Sequence, residues 1–177
     1  MFTNPEQNIL HLGLSDGMRV ADFGAGTGFY SKAASARVGY SGKVYAIEVQ
    51  KDLVKKLESD IKHWGLSNIE CIWGDIERLN GTKISDHSMD AVIISNVLFQ
   101  AEDKLGVVGE ALRVLKKGGK LLLIEWMESF GGMGPTKEHV ISPTYARELF
   151  EKRGFKFEEN ITTSAHHYGI IFKYESR

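Results

Sequence analysis

The sequence predicts an α/β fold in which helices cover both faces of a doubly wound, largely parallel sheet. Short apolar runs typical of buried strands alternate five times with segments that can form helices. The 19 glycines are dispersed between these segments, as expected where glycine ends an element. Two strand-like runs near the end of the chain are joined by only a few polar residues, which allows a hairpin and not a parallel crossover. We therefore expect an antiparallel hairpin at one edge of a parallel core.

The composition is that of a single domain spanning residues 1–177. The chain is 42% apolar and 25% charged, which is typical of a globular protein. Its formal net charge of −1 gives no basic field that would attract nucleic-acid phosphates or anionic lipid. We therefore expect neither nucleic acid nor a membrane among its partners.

A cytoplasmic location is predicted from the cysteine content and from the lengths of the apolar runs. Cys71 has no second cysteine with which to form an internal disulfide, a Cys-rich zinc site or a redox pair, and this fits a reducing compartment. The longest aliphatic runs, residues 91–94 and 121–124, are far shorter than the roughly 20 residues of a membrane helix. The start of the chain lacks the apolar core of a signal peptide, so we expect no secretion.

The individual elements follow from local signals along the chain. Asn4 can cap a short leading helix that has Pro5 at its first position and ends before Gly13. Further helices are predicted at residues 29–38, 53–64, 105–115 and 143–153. Strands are predicted at residues 20–23, 43–48, 69–73, 89–95, 120–126, 155–162 and 167–174. The fourth strand is apolar on both faces, as a parallel strand covered by helices must be.

A glycine-rich turn follows the first strand, at the edge of a parallel sheet where ligands bind. Gly24, Gly26 and Gly28 remove side chains where the backbone can approach a ligand, and they leave the next helix N-terminus open. Phe29 stands where the dinucleotide fingerprint has its third glycine, so a pyrophosphate ligand fits less well. The alternative is a tight turn that only packs the helix on the strand.

Two acidic residues follow the next two strands at the same edge. Glu48 ends the second strand, where a carboxylate can accept hydrogen bonds from both hydroxyls of a ribose. Asp75 follows the third strand and can accept a hydrogen bond from an exocyclic amine while Ile76 packs against a flat base. The alternatives are a solvated acid for Glu48 and a helix or turn cap for Asp75. Together with the glycine turn, these residues predict an adenosine pocket that lacks a phosphate clamp.

These motifs resemble those of the class I S-adenosylmethionine-dependent methyltransferases. Residues 20–28 (VADFGAGTG) resemble the first motif of that family and residues 44–48 (VYAIE) its second. Residues 74–76 are similar to its adenine-contact motif, residues 89–96 to its fourth-strand motif and residues 115–121 to its turn into strand five. The resemblance implies a Rossmann-like sheet of seven strands with the last strand antiparallel, and S-adenosyl-L-methionine as the cofactor.

The resemblance also implies roles for individual residues. Glu48 would hold the ribose hydroxyls, Asp75 the adenine amine, and Asn96 would border the methyl group. Asp22 would support the turn and the ammonium end of the cofactor. The implied cofactor-binding residues are Asp22, Gly24, Gly26, Gly28, Glu48, Val49, Asp75, Ile76 and Asn96.

Catalysis by such an enzyme mainly requires that the acceptor be aligned and water excluded, because the sulfonium already activates the methyl group. His139 is the candidate general base, since it follows the fifth strand and histidine titrates near neutrality. The alternative is an exposed loop histidine. Asn96 is a second candidate catalytic residue, and the leading helix with residues 127–141 would form the acceptor pocket. Tyr30 and Trp126 could wall this pocket, although aromatic residues at helix starts and strand ends more often pack.

Within the family, the chain most resembles small stand-alone enzymes related to quinone-biosynthesis and arsenite methyltransferases. Its fourth strand ends in residues 95–98 (SNVL) where nucleic-acid and protein amino-group methyltransferases carry an Asn/Asp-Pro-Pro-aromatic motif, which disfavours those acceptors. That strand end has no aspartate for a magnesium ion, so we expect no metal. A single cysteine does not supply the several thiols that arsenite methyltransferases use.

We therefore expect an enzyme that transfers a methyl group from S-adenosyl-L-methionine to a small-molecule acceptor by in-line displacement. The sequence does not identify the acceptor or the oligomeric state. One alternative is a non-catalytic regulatory or partner subunit that binds S-adenosylmethionine, which stays open because no general base is assured. A second is a nicotinamide-dependent oxidoreductase, against which the glycine spacing and the final hairpin argue.

Overall fold

In residues 3–130, 132 and 134–175, which the computed structural model describes, the chain forms one sheet of seven strands. The strands are β1 (Arg19–Phe23), β2 (Lys43–Glu48), β3 (Ile69–Trp73), β4 (Met89–Ser95), β5 (Leu115–Trp126), β6 (Phe155–Ser164) and β7 (His167–Tyr174). They lie in the order β3-β2-β1-β4-β5-β7-β6. Neighbouring strands are parallel except that β7 runs antiparallel to both β5 and β6. The predicted seven-stranded α/β fold with a reversed last strand is confirmed.

Helices cover both faces of this sheet. In the described residues they are α1 (Pro5–Asn8), α2 (Phe29–Val38), α3 (Lys51–Trp64), α4 (Lys104–Val114) and α5 (Pro143–Lys152). The leading helix begins as predicted, because the Asn4 side chain accepts a hydrogen bond from the Gln7 N–H at 3.2 Å. A 3₁₀ turn continues it to Gly13, which has a left-handed φ of 64°. None of the helices in this part of the chain has the length and apolar character needed to cross a bilayer.

The order of the strands reverses at β1, which lies between β2 and β4. The chain adds β2 and β3 on one side of β1 and then crosses to add β4 and β5 on the other. The loops that follow β1 and β4 therefore diverge and leave a crevice at the carboxyl edge of the sheet. The predicted ligand-binding residues lie at this edge.

Alternate residues of the central strands face opposite layers of the core. Val20 packs in the layer that contains α2 and α3, whereas Phe23 packs in the layer that contains α4 and α5. In β4, Ile93 and Ile94 face opposite layers and both are fully buried, as predicted for a strand covered on both faces. Asp22 lies on the same side as Val20, so its carboxyl group points towards α2.

The start of β5 differs from the prediction. The strand begins at Leu115 and not at Lys120, and α4 ends one residue before it. Met89 pairs with Leu115 and Ala91 with Lys120, so a bulge lies between the two pairs. The fully buried Leu115 side chain joins the sheet while the following residues bulge out, and a local pattern does not reveal such a register shift.

A buried ion pair within α4 is hydrogen-bonded to the loop between β3 and β4. The Glu110 side chain is 0% exposed and pairs with Arg113 at 2.7 Å. It also accepts hydrogen bonds from the backbone N–H groups of Asn80 at 2.9 Å and Thr82 at 3.1 Å. Burial acts to raise the pKa of Glu110, but the hydrogen bonds from Arg113 and Thr82 outweigh burial and hold that pKa below its usual value. The loop is therefore fixed by a carboxylate that depends on Arg113 for its charge balance.

Replacing Arg113 by leucine is expected to lower the free energy of unfolding by about 3 to 5 kcal/mol, because Glu110 would stay buried without its cation. Urea unfolding at pH 7, followed by circular dichroism, measures this loss. Lys56→Ala is the control, since Lys56 forms an exposed pair with Asp60 at 2.7 Å and should cost no more than about 1 kcal/mol. Equal losses in the two variants would contradict a structural role for the buried pair.

Candidate functional site

A cavity of about 900 Å³ opens at the carboxyl edge of β1, β2, β3 and β4. It is lined by the loops that follow these strands and by Thr3 and Pro5 near the start of the chain. The predicted cofactor-binding residues that line it are Asp22, Gly24, Gly26, Glu48, Val49, Asp75, Ile76 and Asn96. The fold therefore brings residues from four separate sequence motifs to one cavity, and their roles towards a ligand stay predictions.

The glycines of the turn after β1 serve two different purposes. Gly24 and Gly26 line the cavity with left-handed φ angles of 71° and 51°. A Cβ atom on Gly24 would lie 2.5 Å from a methyl group of Val97, so the two loops touch at this point. Gly28 does not line the cavity, and a Cβ there would collide with the Leu57 side chain of α3. Gly28 thus allows α2 to pack against α3, as the alternative interpretation expects, and the ligand-binding role of Gly24 and Gly26 stays a prediction.

Glu48 joins the end of β2 to the glycine turn. One carboxylate oxygen accepts a hydrogen bond from the Gly26 N–H at 3.1 Å, and the other accepts one from the Gln50 N–H at 3.0 Å. The residue is buried, so the alternative of an ordinary solvated acid does not apply. Each oxygen keeps a lone pair for a further donor in the cavity.

Asp22 is the buried acid at the base of the cavity. Its side chain is 2% exposed and accepts a hydrogen bond from the Ser31 hydroxyl at 2.6 Å. Burial raises the pKa of Asp22 from 3.8 to about 6, and the nearby charge of Glu48 adds to this, while the hydrogen bonds with Ser31 oppose it. Ionisation of Asp22 therefore costs more free energy in the folded protein than in water, and a cation beside it would lower this cost.

Asp75 caps its own turn, which was the alternative interpretation of this residue. Its carboxylate accepts a hydrogen bond from the Glu77 N–H at 2.9 Å and pairs with Arg78 at 3.1 Å. It nevertheless lines the cavity, beside the buried Ile76 and the exposed Val49. Among the described residues, the acids form no cluster with His or Cys that is placed to hold a metal ion.

Asn96 turns the chain out of β4 and presents an unpaired amide oxygen. Its φ of 57° is left-handed, which is rare for a residue other than glycine. Its N–H donates to the Ile124 carbonyl at 2.8 Å. The side-chain oxygen Oδ1 is buried and has no hydrogen-bond partner among the described residues. An unpaired buried oxygen costs free energy, so a donor from a ligand would be bound favourably here.

Tyr30 both lines the cavity and packs in the core. Its place at the start of a helix had favoured packing. Its hydroxyl accepts a hydrogen bond from the Asn8 side chain at 2.8 Å. The side chains of Thr3 and Ser95 oppose the rise in the pKa of Tyr30 that burial causes. Tyr30 thereby connects the leading segment to the end of β4. The sequence signal was weak, because a tyrosine at a helix start is common in cores. Trp126, by contrast, does not line the cavity.

His139 does not reach the cavity, so its assignment as general base has no support from the geometry. It lies exposed in a 3₁₀ turn, with Nδ1 2.8 Å from the Thr136 hydroxyl. None of the described residues in 127–141 lines the cavity, and Gly131 and Met133 lie outside the described residues.

The segment after β5 folds instead onto the connection between β6 and β7. Phe130 stacks on the His166 ring with centroids 3.7 Å apart, and His166 bonds Glu128 at 2.8 Å. A Cβ atom on Gly134 would lie 2.5 Å from the Trp126 ring, so the segment also lies close against this side chain. These contacts draw the segment away from the predicted acceptor pocket, while the leading segment does border the cavity.

Asp22→Asn is expected to change the pH dependence of stability in the absence of ligand. A carboxyl whose pKa is raised by folding contributes stability that is full below pH 4 and is lost as pH rises through about 6. Asparagine cannot ionise and still accepts the Ser31 hydrogen bond. Relative to the wild type, the variant should therefore gain about 2 to 3 kcal/mol in unfolding free energy between pH 4 and pH 8. Urea titrations at both pH values measure this gain, and a pH-independent difference would contradict the burial of an ionisable Asp22.

Comparison with known proteins identifies the family. The family description "Methyltransferase domain" matches residues 14–154. A crystal structure of an S-adenosylmethionine-dependent methyltransferase from Aquifex aeolicus is 27% identical, with a TM-score of 0.88 over 97% of this chain and 90% of that chain.

Curated relatives agree with this match over part of their length. The ubiquinone/menaquinone biosynthesis C-methyltransferase UbiE of Cronobacter sakazakii is 31% identical over 115 residues, which is 64% of this chain and 45% of the relative. The arsenite methyltransferase of Aquipseudomonas alcaligenes is 31% identical over 112 residues, which is 61% of this chain and 32% of the relative. The matched region is less than half the length of either relative. The family match, the fold and the motif positions agree, and the chain belongs to the S-adenosylmethionine-dependent methyltransferases.

Proposed function

We propose that this chain binds S-adenosyl-L-methionine in the cavity and transfers its methyl group to a small-molecule acceptor. The observation that carries the proposal is the position of Glu48. This buried carboxylate is fixed by the Gly26 and Gln50 N–H groups between the glycine turn and the loop of Asp75. A carboxylate has about four lone-pair sites, so Glu48 can bind two ribose hydroxyls while keeping both backbone hydrogen bonds.

The residues on either side of Glu48 suit the two ends of the cofactor. Ile76 offers a buried apolar surface and Val49 an exposed one, between which a flat adenine can pack. Asp75 can accept a hydrogen bond from the adenine amine, because each of its two carboxylate oxygens still has one free lone pair. At the other end, Asp22 suits the ammonium group, since a cation favours the ionised form that burial disfavours.

At the reacting end, the residues of the chain orient the acceptor and exclude water. The bound cofactor supplies a methyl group that its sulfonium has already activated. Asn96 can accept a hydrogen bond from an acceptor O–H or N–H through its unpaired Oδ1. Burial raises the pKa of Tyr30, so its hydroxyl stays neutral where the leading segment closes the cavity. With His139 exposed elsewhere, we assign catalysis to alignment and not to a histidine base.

The proposed acceptor class and location rest on the relatives and on the cysteine content of the chain. The relatives are named for quinone biosynthesis and for arsenite, which supports a small molecule. Cys71 lies in β3 and does not line the cavity, so a set of thiols for arsenic is not at hand. The single cysteine also favours a reducing, cytoplasmic compartment.

Cofactor binding and methyl transfer can be tested one after the other. Titration calorimetry should give micromolar affinity for S-adenosylmethionine and S-adenosylhomocysteine and no saturable binding of NAD. Incubation with methyl-labelled cofactor and a metabolite extract should then place the label in the small-molecule fraction. Label in a nucleic-acid or protein fraction would refute the acceptor class, and tight binding without any transfer would favour a non-catalytic subunit.

Replacing Glu48 by alanine should weaken S-adenosylmethionine binding by about 1.5 to 3 kcal/mol, the range for hydrogen bonds to a charged group. Glu48→Gln should lie between the alanine variant and the wild type, because its amide oxygen still accepts one hydroxyl. Glu70→Ala is the control, since Glu70 forms an exposed pair with Lys43 on the neighbouring strand. Calorimetry gives the affinities and circular dichroism checks folding. Wild-type affinity in a folded Glu48→Ala variant would remove Glu48 from the site.

A further inference from the structure

The segment that follows β4, residues 96–101, forms the wall of the cavity opposite the glycine turn. Asn96, Val97, Gln100 and Ala101 all line the cavity. Val97 lies directly against Gly24, since one of its methyl groups is only 2.5 Å from the point that a Cβ atom on Gly24 would occupy. A small shift of this segment therefore changes the space beside the glycine turn.

The wall has little regular structure of its own to hold it. Asn96 leaves the strand with a left-handed φ of 57°, so the ladder with β5 ends there after the hydrogen bond from its N–H to the Ile124 carbonyl. The next residues form turns and not a helix. Their backbone N–H groups need acceptors, because Leu98 is fully buried and cannot use water.

Glu125 supplies the acceptor from β5. Its side chain is 1% exposed, and one carboxylate oxygen accepts a hydrogen bond from the Leu98 N–H at 2.7 Å. The neighbouring N–H groups of Val97 and Phe99 oppose the rise in the pKa of this carboxyl group that burial causes. Glu125 does not line the cavity and so lies behind the wall. The Leu98 N–H of the wall is thus hydrogen-bonded to a side chain of a central strand, whose other oxygen, Oε2, has no hydrogen-bond partner among the described residues.

We propose that Glu125 is a positioning residue whose carboxyl group fixes the backbone of residues 96–101 and thereby sets Asn96 and Val97 against the methionine end of the bound cofactor. This inference rests on the proposed function, since it assumes that the methionine end lies beside the glycine turn. The adenosine end lies beside Glu48, Asp75 and Ile76, on other loops. If residues 96–101 shift, the contacts to the methionine end of the ligand should therefore weaken, while the contacts to its adenosine end should not.

The test compares two ligands that share the adenosine end. S-adenosylmethionine reaches the wall, whereas 5′-methylthioadenosine lacks the amino-acid part. Glu125→Leu removes the acceptor at similar size and should weaken S-adenosylmethionine binding at least about fivefold more than methylthioadenosine binding. Glu125→Gln keeps an acceptor oxygen for the Leu98 N–H and should restore the wild-type ratio of affinities within about twofold.

A matched control separates positioning from simple loss of stability. Asn68 is also buried, but it binds the Ser35 and Gly39 carbonyls and does not line the cavity. Asn68→Leu should lower the melting temperature and leave the ratio of the two affinities unchanged. If Glu125→Leu does not fold, Glu125→Asp, which draws the carboxylate back by one methylene, takes its place with the same expected change of ratio.

Hydrogen exchange gives a second readout that needs no ligand. Amides 97–99 should exchange about tenfold faster in Glu125→Leu than in Glu125→Gln, with β1 unchanged in both. An unchanged ratio of affinities together with unchanged exchange would overturn the proposal. A wild-type protein that binds neither ligand would instead refute the proposed function, and the exchange rates would still decide whether Glu125 fixes the wall.

Discussion

Both faces of the central strands are buried, and this constraint places the candidate ligand-binding groups at one edge of the sheet. Val20, Ile93 and Ile94 are fully covered by the two helical layers. Polar groups can therefore meet water or a ligand only where the strands end. At the carboxyl edge the strand order reverses between β1 and β4, so the loops separate and leave room for a ligand. The cavity is a consequence of the topology before any side chain is considered.

Carboxylates recur as anchors of the loops that surround this edge. Glu48 binds N–H groups in the loops after β1 and β2, Glu110 binds the loop after β3, and Glu125 binds the loop after β4. Each acceptor lies on a regular element, while each donor lies on a loop. A rigid element thereby fixes the backbone of a segment that has no ladder of its own. The loops that follow β1, β2, β3 and β4 are thus held by the same type of interaction.

The sequence predicted those site residues that follow directly on a strand. Glu48 and Asp75 occupy strand ends, and a strand end fixes the position of a residue in a parallel sheet to within one or two places. His139 lies far beyond the end of β5, and its position depends on the stacking of Phe130 on His166. Such contacts join segments that are distant in sequence, and neither periodicity nor a motif encodes them. For this reason the described residues of 127–141 do not line the cavity, whereas the leading segment does.

Glu125 was missed for a related reason, since a single acid inside the apolar run of β5 has no local partner and its donor lies in the loop after β4.

Burial raises the pKa of Glu125 to about 7, as it raises that of Asp22 to about 6, so both acids lower the stability of the fold at neutral pH. The two differ in what compensates the charge. The Leu98 N–H binds one oxygen of Glu125 whether or not a ligand is present. Asp22 accepts hydrogen bonds from Ser31 but is repelled by the like charge of Glu48, so in the proposed complex a cationic ligand would supply the balance. The cofactor would then stabilise the fold through Asp22, which lines the cavity, and not through Glu125, which does not.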